Sequence, residues 1–173
     1  MLGALNQYFL NDWTVVPCAD SFGHDVETTY LIIESMKLLE IEDKEKMKIA
    51  KKLLDHSLIF GLDKKNGALN DVGTAFGRMY KTEKIWWVQA EFLNSLLLLS
   101  TYYPDDPNLY YSRFLRQWEF VKNNLIDQKY GGWLIDDSEE RRKNNKGSCW
   151  KTPYHSSRAL INGLEYLEND DGE

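Results

Sequence analysis

The sequence predicts an all-α protein built from helical hairpins, and three observations carry that expectation. Nearly apolar helices alternate with amphipathic ones, helix-start signals recur, and the intervening segments are rich in glycine, asparagine and aspartate. The first helix is expected from Val26 to Leu39, where Tyr30, Leu31, Ile32, Ile33, Met36, Leu38 and Leu39 occupy most of the circumference, so it is buried on several sides. The second, Asp43 to Phe60, sets Met47, Ile49, Ala50, Leu53, Leu54, Leu58 and Ile59 opposite Lys44, Glu45, Lys48, Lys51 and Lys52, the pattern of an outer helix. His56 on that lysine-rich helix reads as a surface residue.

The pair then repeats. Trp86 to Leu99 is apolar almost all round, whereas Asn108 to Leu125 carries Arg113, Arg116, Glu119 and Lys122 opposite Leu109, Phe114, Leu115, Trp118 and Val121. Asp106 before Pro107 predicts a capped start with proline in the first turn, and Thr152 before Pro153 predicts the same for a last helix reaching Leu167. Ala159, Leu160, Ile161 and Leu164 make that last helix an inner one. Gly67 to Tyr80 and Tyr130 to Trp150 are expected to be short hairpins or ordered loops, with Ser138 to Lys146 a solvated, charged tip. Inner helices starting near positions 24, 85 and 153 give a repeat of about 60–70 residues with no evident self-similarity. Alternating inner and outer helices is the logic of an α/α barrel, and three inner helices make only part of a ring.

Composition excludes several classes. The 173 residues carry a net charge of −6, with no lysine and arginine face for phosphates, so no nucleic-acid partner is expected. The apolar run around Leu96 to Leu99 is interrupted by Glu91, Asn94 and Ser95 and falls short of the roughly 20 residues that span a bilayer. No signal-peptide pattern opens the chain, and a cytoplasmic location is the expectation. Cys18 and Cys149 show no metal-ligand spacing and read as reduced thiols. Six Trp, ten Tyr and seven Phe are an excess that serves either core packing or stacking on sugar faces.

Two of the three histidines, His24 and His155, stand where an apolar helix begins, amid aromatic and charged residues. His24 and Glu27 share a helix face if the helix has begun there, an arrangement suited to a general acid or base, or else to a helix-capping histidine with acids at the positive end of the dipole. Trp86, Trp87, Gln89 and Glu91 interrupt an apolar helix. A buried Glu91 requires a partner, and periodicity leaves open which tryptophan faces inward. His155 has Tyr154 beside it, Trp150 and Lys151 before it, and Arg158 one turn on. The same cluster also suits an aromatic hinge. With no phosphate loop, zinc motif or nucleophile elbow, cofactor-free acid/base catalysis is what remains for an enzyme.

The words SFGHDVE (21 to 27), KIWWVQAE (84 to 91) and WKTPYHSSRA (150 to 159) resemble the N-acylglucosamine 2-epimerase superfamily, and within it the cellobiose 2-epimerase branch. The resemblance implies an (α/α)6 barrel of which residues 1–173 form one partial domain, the C-terminal half, without the N-terminal half that brings further polar residues to the pocket. It implies that His24 and His155 are the catalytic pair acting on opposite faces of C2 of an opened reducing-end sugar, with Glu27 supporting His24. Trp87 and Trp150 resemble sugar-stacking residues, and Glu91, Trp86, Tyr154 and Arg158 are expected to complete substrate binding. An aldose–ketose isomerase of the same fold, and an inactive fragment with weak sugar binding, are the other readings. No metal or cofactor is implied. The expected partners are a monosaccharide or oligosaccharide substrate and either a second copy or a complementing N-terminal half, since an open half-barrel exposes apolar helix faces. Ser156 and Ser157 depart from the Asn and Gly frequent there, which bears on substrate choice.

Overall fold

The computed structural model describes residues 3–143 and 145–170. An N-terminal hairpin of β1 (Tyr8–Phe9) and β2 (Val15–Val16) precedes β3 (Asp20–Ser21), which runs directly into α1 (Phe22–Leu38) and then α2 (Lys44–Phe60). β4 (Val72–Gly73) and β5 (Met79–Lys81) follow, then α3 (Trp86–Tyr102), α4 (Tyr110–Asn124), the short α5 (Glu139–Arg142) and α6 (Tyr154–Asp170). The small sheet is antiparallel in the order β3-β4-β5, so the hairpin expected within 67–80 is joined to the strand that launches α1.

Helix α3 lies at the centre, packed against α1, α4 and α6, while α2 backs α1. The alternation read from sequence is thus the alternation of layers: α1, α3 and α6 form a row, with α2 and α4 behind the first two. The residues responsible are Phe22, Val26 and Ile33 of α1, Ala50 and Leu54 of α2, Phe92, Leu96 and Leu99 of α3, and Tyr110 and Val121 of α4, all buried. Burial of each large apolar side chain is worth about 1.5–3 kcal/mol. Polar groups inside the row are satisfied across helices: Ser95 Oγ donates to the Val26 carbonyl at 2.5 Å, and Asn162 Nδ2 donates to Asn94 Oδ1 at 3.1 Å.

The helix-start reading at Asp106–Pro107 is corrected. Asp106 Oδ1 accepts from Asn108 N at 2.9 Å and closes a turn, and α4 begins later, after Leu109 in the left-handed region at φ 51°. At Thr152–Pro153 the correction is smaller: the Pro153 carbonyl accepts from Ser157 N at 2.8 Å, so α6 starts at Tyr154.

The absence of self-similarity is corrected as well. After α2, Asp63 N donates to the Ala68 carbonyl at 2.9 Å and Gly67 N to the Asp63 carbonyl at 2.7 Å. After α4, Asp127 N donates to the Gly132 carbonyl and Gly131 N to the Asp127 carbonyl, both at 2.9 Å. The two turns share the spacing D-x-K-x-G at 63–67 and 127–131, with Gly67 and Gly131 at φ 83° and 71°. Only three letters repeat, because the turn constrains only an acceptor side chain and a left-handed glycine. In the 130–150 segment the regular structure among the described residues is the bridge of Ile126 with Trp133 and helix α5. Part of the charged tip Ser138–Lys146 lies outside the described residues, at Asn144. Its Lys146 is not simply solvated, since Nζ donates to Asp127 Oδ2 at 2.8 Å and to the Gly131 carbonyl at 2.7 Å.

Leu31, Leu38 and Leu39, expected to be buried with the first helix, are 41%, 75% and 67% exposed, and helix α6 departs from its expected burial as well. Ala159 is buried against α3, but Leu160, Ile161 and Leu164 are 39%, 55% and 61% exposed. Its apolar stripe is wider than the one neighbour it packs on. None of the helices among the described residues is long and apolar enough to cross a membrane, and Cys18 and Cys149 are free and exposed.

Candidate active site

The ends of α1, α3 and α6 that carry the three sequence words meet at one shallow cleft of about 280 Å³, lined by His24, Glu27, Trp86, Trp87, Trp150 and His155. Pockets that enclose a ligand run to about 300–1,000 Å³, and this cleft falls just below that range. Larger cavities elsewhere lack such a convergence of rings and acids.

Trp87 stands between the histidines. Its ring centroid lies 5.0 Å from that of His24 and 5.4 Å from that of His155, with interplanar angles of 47° and 44°. Helix α1 is shaped to admit it: a Cβ on Gly23 would meet Trp87 Cη2 at 2.5 Å and Val88 Cγ2 at 2.8 Å. Trp86, one residue earlier and turned by about 100 degrees, is buried, and Lys151 Nζ sits 5.7 Å from its ring. Both tryptophans therefore reach the cleft, Trp87 as its floor between the imidazoles and Trp86 from the core side. Trp150, 85% exposed, stands at the rim.

Beneath His155 lies a network of acids and arginine. Glu91, fully buried, accepts at Oε1 from His155 Nδ1 at 2.6 Å and from Arg158 Nη2 at 2.6 Å. Arg158 also donates to Glu27 Oε1 at 2.9 Å, and its guanidinium lies 4.4 Å from the Tyr154 ring and 5.0 Å from the Tyr30 ring. Burial works against the Arg158 charge, but Glu91 and Glu27 outweigh it and hold its pKa above the usual value. An oxygen that already accepts from Arg158 is an acceptor for His155 too, so Nδ1 carries the hydrogen, and in the neutral ring Nε2 presents its lone pair.

This arrangement corrects the pairing read from spacing. Glu27 is on the same helix as His24, yet its partners are Arg158 and, at 3.8 Å, His155 Nδ1. Among the described residues no hydrogen bond or ion pair joins Glu27 to His24. The spacing placed the two on neighbouring surface, and the arginine from α6 captured the carboxylate. Gln89, grouped with Glu91 by sequence, turns away and braces a loop: it accepts from Leu69 N at 3.0 Å, donates to the Leu69 carbonyl at 2.8 Å, and accepts from Gln117 Nε2 at 2.9 Å.

His56 is the clearest reversal. It is 3% exposed, with Nε2 bonded to the Ala75 carbonyl at 2.8 Å and Nδ1 3.6 Å from Asp20 Oδ2 and 3.4 Å from Asp25 Oδ2. The lysine-rich face of α2 is real, but His56 lies at its border, where Gly3, Ala75 and the residues Asp20 and Asp25 cover it. Asp20 and Asp25 were legible only as polar residues near a helix start. Burial, reinforced by Asp25, raises the Asp20 carboxyl to about 7. Asp71 was also missed: burial raises its pKa, and His24 is among the charges it feels.

A family model described as N-acylglucosamine 2-epimerase matches residues 2–159. The chain is 32% identical to the cellobiose 2-epimerase of Bacteroides fragilis, over 91% of this chain and 40% of that protein. It is 28% identical to a D-mannose isomerase of Marinomonas mediterranea, over 93% of this chain and 44% of that protein. The solved cellobiose 2-epimerase of Spirochaeta thermophila superposes with a TM-score of 0.83 at 28% identity, covering 96% of this chain and 42% of that one. The fold is accordingly that of part of an (α/α)6 barrel, and the chain spans about two-fifths of the length of the relatives it matches.

Proposed function

Since this chain belongs to the N-acylglucosamine 2-epimerase family, we propose that it carries the acid/base surface of a cofactor-independent sugar 2-epimerase of the cellobiose type. The observation that supports this most is the pair of imidazoles flanking Trp87, one of them fixed by a buried carboxylate. Trp87 and Trp150 stack on the apolar face of the reducing-end ring, and Trp86, Tyr154 and Arg158 shape its surroundings. On the opened aldose, one histidine takes the C2 proton, and the electron pair moves toward C1 to give an enediolate. The other histidine returns a proton to the opposite face of C2, which exchanges glucose and mannose configurations. His155 acts through Nε2, held in that tautomer by Glu91, and Glu27 serves through Arg158.

The 173 residues form one partial barrel domain on this reading, and turnover requires helices that close the cleft from the other side. The exposed stripe on α6 and the shallowness of the cleft support that requirement. A complementing N-terminal half or a second copy is the expected partner. The similarity to a D-mannose isomerase favours a second reading, in which the same enediolate receives its proton at C1 and a ketose results.

Incubation with cellobiose, glucose and mannose in D2O, followed by NMR, tests both. Deuterium at C2 together with the epimer is the expected result once the cleft is closed, with loss of exchange in His24→Ala and in His155→Ala. Deuterium at C1 of a ketose indicates the isomerase. A folded chain that exchanges nothing, alone or supplied with the complementary half of a related epimerase, refutes the proposal.

A further inference from the structure

We propose that Asp20, Asp25 and His56 bind one divalent cation of the zinc type, at a site separate from the cleft. The three come from β3, the first turn of α1 and the C-terminal third of α2, and their side chains are 3%, 0% and 2% exposed. Among the described residues, both oxygens of Asp20, Oδ2 of Asp25 and Nδ1 of His56 have no hydrogen-bond partner. Buried polar atoms without partners are costly, and a convergence of them calls for an occupant.

The imidazole tautomer points to what that occupant is. The Ala75 carbonyl only accepts, so the ring atom bonded to it, Nε2, bears hydrogen. In the neutral ring the lone pair of Nδ1 then faces two carboxylates, an arrangement that repels unless a proton or a metal cation stands between them. A ring nitrogen on the metal with the other donating to a backbone carbonyl is the usual outer support of a ligating histidine. Asp25 has such support too, because its Oδ1 accepts from Leu5 N at 2.9 Å.

Distances separate this reading from a simple ion pair. An imidazolium donating to carboxylate sits at about 2.7–2.9 Å, whereas Nδ1 lies 3.4 Å from Asp25 and 3.6 Å from Asp20. Ligands bound at about 2.0–2.2 Å in tetrahedral array are about 3.4 Å apart along each edge. One atom from each residue falls within 4.8 Å of the others. Two carboxylates and a neutral imidazole offset a double positive charge, and a nitrogen ligand favours zinc over the oxygen-seeking calcium and magnesium. The other acid–histidine cluster, Glu27, Glu91 and His155, already holds the Arg158 cation. A metal at Asp25 would lock the turn that carries His24 to both β3 and α2, whatever reaction the cleft performs.

The test is titration of chelator-treated protein with Zn²⁺ by calorimetry and with Co²⁺ by visible absorption. One equivalent of Zn²⁺ bound per chain, a raised melting temperature and a Co²⁺ d–d band without a thiolate band are expected. Asp20→Asn and His56→Gln are each expected to weaken binding at least about 100-fold, the upper end of what loss of an outer-shell partner costs, and His155→Gln to leave it unchanged. Should His56→Gln fail to fold, the nearly isosteric Asp20→Asn decides. Absence of saturable binding, wild-type affinity in Asp20→Asn, loss of binding in His155→Gln, or a thiolate band from Cys18 or Cys149 would each overturn the assignment; the first leaves an ion cluster without a metal.

Discussion

Replacing Glu91 by glutamine isolates the contribution of one buried charge to the cleft. The Oε1 atom accepts two short bonds, from His155 Nδ1 and Arg158 Nη2, both at 2.6 Å, and Glu91 is fully buried while the Arg158 and His155 side chains are 13% and 22% exposed. Hydrogen bonds to charged groups contribute about 1.5–3 kcal/mol against about 0.5–1.5 for neutral pairs, so each bond loses about 1 kcal/mol and the variant about 2 kcal/mol. For a chain of this size that lowers the melting temperature by about 4–8 °C. Glu27→Gln, which weakens the single 2.9 Å bond to Arg158, is expected to lose about half as much. Urea unfolding followed by circular dichroism measures both. A loss below about 0.5 kcal/mol in Glu91→Gln, the range of an ordinary surface change, or a larger loss in Glu27→Gln, refutes the view that Glu91 is the hub of the network.

Gly23→Ala drives a methyl into Trp87 and Val88; overpacking of this kind costs about 1–3 kcal/mol, and a shift of tryptophan fluorescence is expected with it. Leu164→Ser is expected to cost no more than about 0.5 kcal/mol and to reduce binding of an apolar dye, because Leu164 is 61% exposed. A loss of about 2–5 kcal/mol, the cost of emptying a packed site, would mean that α6 is covered in solution, and sedimentation would then show the dimer. Asp63 and Asp106 have pKa values below the ordinary 3.8: burial opposes this, but backbone N–H groups and Lys84 or Lys51 prevail. The unfolded chain therefore takes up those protons first as pH falls, so their contribution is complete above pH 3.8 and is lost below it. Asp63→Asn is expected to flatten the acid limb of stability measured between pH 2 and pH 5, and an unchanged limb would remove Asp63 from that account.

Much of the site was legible because its residues cluster at helix starts. His24, Trp87 and His155 were singled out as titratable or aromatic groups in apolar surroundings, and the three inner helices bring them together at one end of the row. Glu91 was legible through cost alone: a carboxylate in an apolar helix must find a partner, and it found two. His56 was misread because it follows the exposed Lys52 by one turn, so local pattern puts it on the wet face, whereas β3, the first turn of α1 and the Ala75 carbonyl close over it from elsewhere in the fold. The pairing of Glu27 was misread because helix spacing reports who stands nearby on one helix and says nothing of an arginine arriving from another.

The order of inner and outer helices, the glycine turns and the polar interruptions of α3 follow from local pattern, since periodicity and turn chemistry act within a few residues. Which acid holds which base was settled only by assembly. Glu27 and Arg158, like Asp20 and His56, are distant in sequence and meet because α3 draws α1 and α6 together and β3 leads α1 past α2. Electrostatic partners are chosen by distance in space and by the burial that strengthens them, and neither quantity exists until the helices have packed.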